Sequence, residues 1–356
     1  MKNREKAYLV LSDGTVYEGW RFGAMGNRIG ELVFTTGMVG YTETLSDPSY
    51  GGQIVMQTFP LIGNYGINEE DLEGKPALFA YAVREYSEHP SNFRCQKTLD
   101  EFLKEKNIPG IYGIDTRALT SLIREHGVIN AGIFDAVPEN LDEIISYRVS
   151  GNIVPLLSTE HIFTEKAEDE KYHVVLMDFG AKKNIARELS KRGCTVTTVP
   201  SDTSAETILA MNPDGIMLSN GPGDPADNVN VIAEIRKLLG VKPVFGICLG
   251  HQMAALAAGA KTFKMRYGHR GANQPVKDLI TGRTYITTQN HGYAVDPDSL
   301  PACACKRLIN ANDGTLEGID YPDLKCFTVQ FHPEACAGPK DTEFLFERFM
   351  KMMEEN

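Results

Sequence analysis

The sequence has 356 residues, 42% hydrophobic and 23% charged, enough apolar material for ordinary buried cores and enough length for two domains. Its formal net charge of −11 at pH 7 argues against a nucleic-acid or anionic-membrane partner, because both would repel it. Seven cysteines form no disulfide framework, and Cys303-Ala304-Cys305 lacks the spacing of a zinc or thioredoxin-like pair. The opening, Met1 to Lys6, leads into about five apolar residues, too few for a secretory leader. No apolar run approaches a membrane span, so a reducing cytoplasm is the expected location.

Residues 1–150 read as a mixed α and β domain. Ala7–Leu11 and Thr15–Glu18 flank Ser12-Asp13-Gly14, a hairpin signal. Glu31–Thr36, Gln53–Thr58 and Ala77–Val83 read as strands. Leu99–Lys106 reads as a short helix. Asp115 or Thr116 caps a second helix that runs to His126 and stops at Gly127, and Leu141–Tyr147 is a third. No alternating rhythm, internal repeat or recognisable chemistry stands out, so this half reads as a platform. Residues 151–172, with the charged run Thr164 to Lys171, read as a solvated linker.

From residue 173 to 356 the rhythm changes. Val174–Met177, Thr195–Val199, Gly215–Leu218 and Val244–Ile247 are strands, and Ile185–Lys191, Ala205–Met211, Asn230–Leu239 and Met253–Ala260 are helices between and after them. Alternation of this kind predicts a doubly wound, mostly parallel sheet with its site at the carboxyl ends of the strands. Arg283–Phe331 is strand-rich, and Phe344–Met352 closes the chain as a helix.

Two stretches carry chemistry. In Gly246-Ile247-Cys248-Leu249-Gly250 a strand turns into a helix within about one residue, with a cysteine at the corner and a glycine two residues to each side. Such a turn lifts the thiol above the sheet beside a helix N-terminus, where its anion is favoured. An isolated cysteine is more often a buried structural residue; the flanking glycines shift the reading to a nucleophile. A nucleophile needs a base and the base an orienting group. His332-Pro333-Glu334 supplies both, because residues two apart on extended backbone share a face. Alone, it would read as a solvated turn.

Gly246 to Gln252 with His332-Pro333-Glu334 resembles a class I, or triad, glutamine amidotransferase domain. Ser219-Asn220-Gly221-Pro222-Gly223-Asp224-Pro225, Gln289-Asn290-His291-Gly292-Tyr293 and the N-terminal Gly40 to Tyr50 stretch narrow the resemblance to the small, glutaminase subunits of carbamoyl phosphate synthetases. The resemblance covers nearly the whole chain. It implies Cys248 as nucleophile, His332 as base and Glu334 as its orienting acid. It implies an oxyanion site from the backbone N–H groups of Leu249 and Gly221. It also implies glutamine-binding positions at Ser49, Gly221, Gly223, Leu249, Gln252, Asn290, Gly292 and Tyr293. Tyr293 stands where bacterial relatives often have Phe, and Phe331 where some have Gly. The resemblance further implies a large partner subunit that holds ATP and Mg and makes carbamoyl phosphate for arginine or pyrimidine synthesis; no cofactor or metal is expected in this chain. Ser49 without the resemblance is a turn serine after Pro48.

Three histidines invite other readings. His251 reads as packing or support beside the elbow, His269 as a loop residue, and a zinc site built on His332 and Cys336 lacks ligand spacing. Two rival functions remain at this level: a glutaminase for another synthetase, such as anthranilate or GMP synthesis, and a binding protein with an inactive amidotransferase fold.

Overall fold

The computed structural model describes residues 5–356; residues 1–4, on which part of the leader reading falls, lie outside the described residues. The chain divides into two compact units, one ending at Ser150 and the other beginning at Gly151.

The first unit is a closed barrel, in the order Lys6–Leu11, Val16–Gly23, Pro109–Tyr112, Ala80–Val83, Gln53–Gln57, Arg28–Thr35 and Ile129–Phe134. Closure is the feature that the sequence reading lacked, because the short Pro109–Tyr112 strand that links two halves of the barrel carries no alternation. The local signals were otherwise obeyed. Thr98 and Glu101 form a capping box: the Thr98 side chain accepts from Glu101 N at 3.2 Å and the Glu101 carboxylate accepts from Thr98 N at 2.8 Å. Asp115 caps the Thr116–His126 helix by accepting from Arg117 N and Ala118 N, and Gly127 ends it at φ 96. The helices press Leu45, Leu99, Phe102 and Leu103 onto Phe22, Val33, Val55 and Tyr81. Each fully buried side chain of this size contributes roughly 1.5–3 kcal/mol.

The second unit holds a ten-stranded sheet. Its centre is parallel: Cys194–Pro200, Tyr172–Asp178, Gly215–Leu218, Val244–Ile247 and Cys326–Val329, in that spatial order. The Leu316–Tyr321, Cys305–Asn310, Thr262–Asp278 and Thr284–Val295 strands continue it antiparallel. Phe245 stacks on Phe327 with ring centroids 4.4 Å apart, and Phe346 and Phe349 of the closing helix pack against them.

Two expectations need correcting. The stretch read as a linker contains a helix at Ile153–Leu157 and an edge strand at Phe163–Glu165, which pairs antiparallel with Cys194–Pro200. An exposed edge strand with three exposed residues has no buried face to betray it. The second correction concerns Thr262–Asp278, which forms a 17-residue strand interrupted by register shifts. The irregularities broke the alternation, so His269 passed for a loop residue.

Candidate active site

Four loops leave the carboxyl ends of the parallel strands on one edge. They follow Asp178, Leu218, Ile247 and Val329. The strand after Pro243 ends at Ile247, and Cys248 is the N-cap of the Leu249–Ala258 helix, with φ 54 and ψ −102. A side chain in that region costs of order 1–3 kcal/mol and persists only where the surroundings impose it. The surroundings here are close-packed backbone. A Cβ on Gly246 would lie 3.0 Å from the carbonyl of Gly250, and one on Gly250 would lie 2.4 Å from the Leu218 oxygen. The G-x-C-x-G spacing is therefore a steric requirement of the corner. Cys248 N donates to the Val329 carbonyl at 2.9 Å, Gln252 N donates back to the Cys248 carbonyl at 3.1 Å, and the buried thiol lies 3.7 Å from the Asn290 carbonyl.

His332 and Glu334 follow the neighbouring strand. His332 N donates to the Thr288 carbonyl at 2.9 Å, and its Nδ1 lies 2.7 Å from Glu334 Oε1, both side chains fully buried. Nε2, on the other side of the ring, is buried. Burial and the Lys182 cation both disfavour an imidazolium, but the Glu334 carboxylate and the Cys248 sulfur outweigh them and hold His332 up to about 9. Burial works against the Glu334 anion, while His332 and Lys182 more than compensate and keep its carboxyl below the ordinary range.

Lys182 and Asn184 were not foreseen. Lys182 Nζ lies 3.7 Å from Glu334 Oε1, and the Asn184 amide donates to the Glu334 carbonyl. The signal was present in Asp178 to Asn184, the passage from the first strand of the alternating unit into the Lys183–Ser190 helix, at the same edge as the cysteine. It went unread because no chemical motif marks it.

The glycine loop stands against that one. Ser219 Oγ accepts from Phe179 N at 2.9 Å, and Asn220 Oδ1 accepts from Lys182 N at 3.0 Å. A Cβ on Gly221 would fall 2.3 Å from the Phe179 oxygen and 2.7 Å from Leu249 Cδ2, so Gly221 sits directly beside the first helical residue after Cys248. Gly223 has φ 87 and ends the loop. Across the site, Gln252 Nε2 donates to the Tyr293 carbonyl at 2.7 Å and to Gln330 Oε1 at 2.9 Å, which ties the helix to the strand bearing Asn290 and Gly292. Ser49 belongs to the first unit. It is buried in the Pro48–Tyr50 turn, where its N–H donates to Asp47 Oδ1 at 2.9 Å.

His251 packs as expected: fully buried, 2.8 Å from Thr328 Oγ1, its pKa pushed down by burial to about 3. His269 is a strand residue, 2.9 Å from Asp313 Oδ2 and 3.4 Å from Glu317 Oε1. Among the described residues, His269, His291 and Glu317 bring donor atoms within 4.8 Å of one another. Those atoms are engaged in a network with Asp313, Tyr293 and Gln289. Cys336 is exposed and stands outside that group. No helix among the described residues is long and apolar enough to cross a membrane.

Such a corner cysteine with a buried acid–base pair and a close-approach glycine loop suits acyl transfer, and comparison with known proteins agrees. Residues 175–352 match the family described as glutamine amidotransferase class-I, and residues 9–133 match the carbamoyl-phosphate synthase small chain, CPSase domain. Proteins named carbamoyl phosphate synthase small chain are similar over their whole length. The one from Staphylococcus epidermidis is 54% identical over 99% of this chain and 97% of its own. That from Listeria monocytogenes is 52% identical over 98% and 97%, and that from Fusobacterium nucleatum 50% identical over 100% and 99%. With both halves matched and relatives of this identity spanning it, the chain belongs to the carbamoyl phosphate synthase small-chain family and carries a class-I glutamine amidotransferase domain.

Proposed function

We propose that this chain hydrolyses glutamine with Cys248, His332 and Glu334 and delivers the ammonia to a large partner subunit. The observation that carries this reading is the buried His332–Glu334 pair on the strand beside the Cys248 corner. Cys248 attacks the side-chain amide carbon of glutamine. His332 takes the thiol proton and returns it to the leaving ammonia; water, giving its proton to His332, then cleaves the thioester, and that proton goes back to the thiol as glutamate leaves. Glu334, itself fixed by Lys182, holds the imidazole in the tautomer that presents Nε2 to the reaction. The tetrahedral oxyanion is met by the N–H groups of Leu249 and Gly221. Each such donor is worth about 10²–10³ in rate. Gly223, Gln252, Asn290, Gly292 and Tyr293 shape the glutamine pocket.

The partner subunit, with ATP and Mg, then converts bicarbonate and ammonia to carbamoyl phosphate for arginine or pyrimidine synthesis. The reading as a glutaminase for a different synthetase loses ground to the small-chain match over residues 9–133. An inactive binding protein would have no use for a strained cysteine paired with a fully buried acid and base. The test is alkylation by a glutamine-like electrophile followed by mass mapping. Label is expected on Cys248, with protection by glutamine; label on Cys303, Cys305 or Cys336 instead contradicts the reading.

A further inference from the structure

Three strands on the antiparallel side of the sheet turn buried side chains toward one point: His269 on Thr262–Asp278, His291 on Thr284–Val295 and Glu317 on Leu316–Tyr321. Each is held from outside by one atom. His269 Nε2 is 2.9 Å from Asp313 Oδ2, His291 Nδ1 is 2.8 Å from the Tyr293 carbonyl, and Glu317 Oε2 accepts from Gln289 Nε2 at 3.0 Å. The inward atoms are His269 Nδ1, His291 Nε2 and Glu317 Oε1. Glu317 Oε1 is buried without a hydrogen-bond partner, 3.4 Å from His269 Nδ1 and 4.0 Å from His291 Nε2. A fourth oxygen faces the same point. Gln289 Nε2 donates to Glu317 and, at 3.2 Å, to Thr287 Oγ1, whose own hydroxyl donates to the Gln274 carbonyl. That fixes the Gln289 amide with Oε1 toward His291 Nε2, 3.2 Å away.

These hydrogen bonds leave the centre rich in lone pairs. A carboxylate and a carbonyl only accept, so His269 carries a proton on Nε2 and His291 one on Nδ1. The other ring nitrogens then set lone pairs against oxygen lone pairs, His269 Nδ1 against Glu317 and His291 Nε2 against Gln289. Asn310 Nδ2 answers His269 Nδ1 only weakly, from 3.5 Å. A proton on His269 Nδ1 satisfies Glu317 but leaves the contact between His291 and Gln289 repulsive. Protons on both rings satisfy both contacts, but set two imidazoliums edge to face in a buried site, with ring centroids 5.0 Å apart. One metal cation meets all four lone pairs at once. Bonds of about 2.0–2.2 Å in a tetrahedron put neighbouring donor atoms about 3.3–3.5 Å apart. The contacts here are 3.2, 3.4 and 4.0 Å.

We propose that His269, His291 and Glu317, with the Gln289 amide oxygen as fourth donor, hold one divalent metal ion. Imidazole and carboxylate in a tetrahedron select zinc. The outward bonds are the ones such a site uses. A ligating histidine donates its other ring N–H to a carboxylate or a carbonyl, which fixes its tautomer and orientation; Asp313 and the Tyr293 carbonyl do so here. The ligands are spread over three strands, too far apart in the sequence for the spacing of a zinc motif, which is why a metal-free chain was expected. In the metal-free chain His269 keeps a proton between Asp313 and Glu317, and the ion displaces it. Asp313, half-exposed, gives the group its solvent side. The ion is structural. It fastens to two other strands the one whose Asn290 carbonyl lies 3.7 Å from Cys248 Sγ. The glutaminase reading is not needed for this site.

The experiment strips the full chain with a chelator, titrates zinc back against a colorimetric indicator and measures metal content after dialysis. One tightly held zinc per chain is expected in wild type and in Cys248→Ser, with a higher melting temperature when loaded. Glu317→Gln and His269→Gln are expected to lose it. Asp313→Ala, at a half-exposed position, is expected to bind about 10–100-fold more weakly, the usual cost of removing the partner of a ligating histidine. Circular dichroism reports folding; if the two ligand variants do not fold, Asp313→Ala and the visible spectrum of the cobalt-loaded wild type decide. A cobalt spectrum of nitrogen and oxygen ligands supports the site. A thiolate-to-metal charge-transfer band puts the ion on a cysteine and overturns the proposal. So does a wild-type chain that holds no zinc, or wild-type affinity in any folded variant of Glu317, His269 or Asp313. The readout is metal and not turnover, so an inactive chain that holds zinc refutes the functional reading alone.

Discussion

The barrel and the open sheet use glycine for different ends. In the barrel, a Cβ on Gly110 would strike the Phe22 ring at 2.4 Å, and one on Gly132 the Phe134 ring at 2.3 Å. Those glycines make room for aromatic packing. In the open sheet, Gly221 and Gly250 lie where a Cβ would meet the backbone oxygens of Phe179 and Leu218 at 2.3 and 2.4 Å. Those glycines let loops approach each other around the cysteine. A closed barrel joins its strands side to side, whereas an open parallel sheet leaves a rim of strand ends where loops from several strands meet. The chemistry proposed for this chain is on that rim.

The comparison is sharpest where the rim is altered. His332→Asn is expected to lower glutamine turnover by about 10²–10⁴-fold, the usual worth of a general acid–base group. Glu334→Ala is expected to leave more activity, because Glu334 orients and does not itself transfer the proton. Near-normal steady-state turnover in His332→Asn would remove the base assignment. Next in size is a matched pair of Gly→Ala changes. Gly250→Ala presses a methyl onto backbone and is expected to abolish most Cys248 labelling. Gly110→Ala presses one onto a ring that shifts, costing about 1–3 kcal/mol of stability while labelling continues at a permissive temperature. Equal losses of labelling in the two folded variants would break the comparison.

Ser49 is the point where the division of labour between the two units is open to challenge. As a substrate contact, Ser49→Ala is expected to raise KM several-fold with kcat nearly unchanged, as lost uniform binding does. An unchanged KM returns Ser49 to its role in the turn. The smallest effect is one of stability against pH. His269 is disfavoured by burial but held up to about 9 by Asp313 and Glu317. A raised folded-state pKa contributes stability that is fully present below the unfolded value near 6.5 and is lost as pH rises through about 9. The melting-temperature deficit of His269→Ala is therefore expected to be largest near pH 6 and to fade by pH 10; a deficit that grows with pH contradicts the ion-pair assignment.

The rim was readable because its requirements are local. A cysteine in a left-handed corner needs small neighbours, so Gly246 and Gly250 mark it, and a His-x-Glu pair on extended backbone declares itself by spacing. Lys182 and Asn184 went unread: they follow the Tyr172–Asp178 strand at the rim, but no chemical motif marks them, and their contacts with Glu334 join residues far apart in the sequence. His269 was misread for a related reason: register shifts in its strand removed the alternation that would have identified it. The barrel's helices announced their caps at Thr98 and Asp115, but closure depends on pairings such as Pro109–Tyr112 with Ala80–Val83, between segments too short to carry a pattern.

The central claim, that this chain cuts glutamine and a partner uses the nitrogen, is tested most directly by giving the complex two nitrogen sources. Cys248→Ser is combined with the large subunit, and carbamoyl phosphate is measured from glutamine and from added ammonia. Synthesis from glutamine is expected to stop while synthesis from ammonia continues at the wild-type rate. Loss of both with the complex still assembled, or carbamoyl phosphate made by this chain alone, would contradict the account.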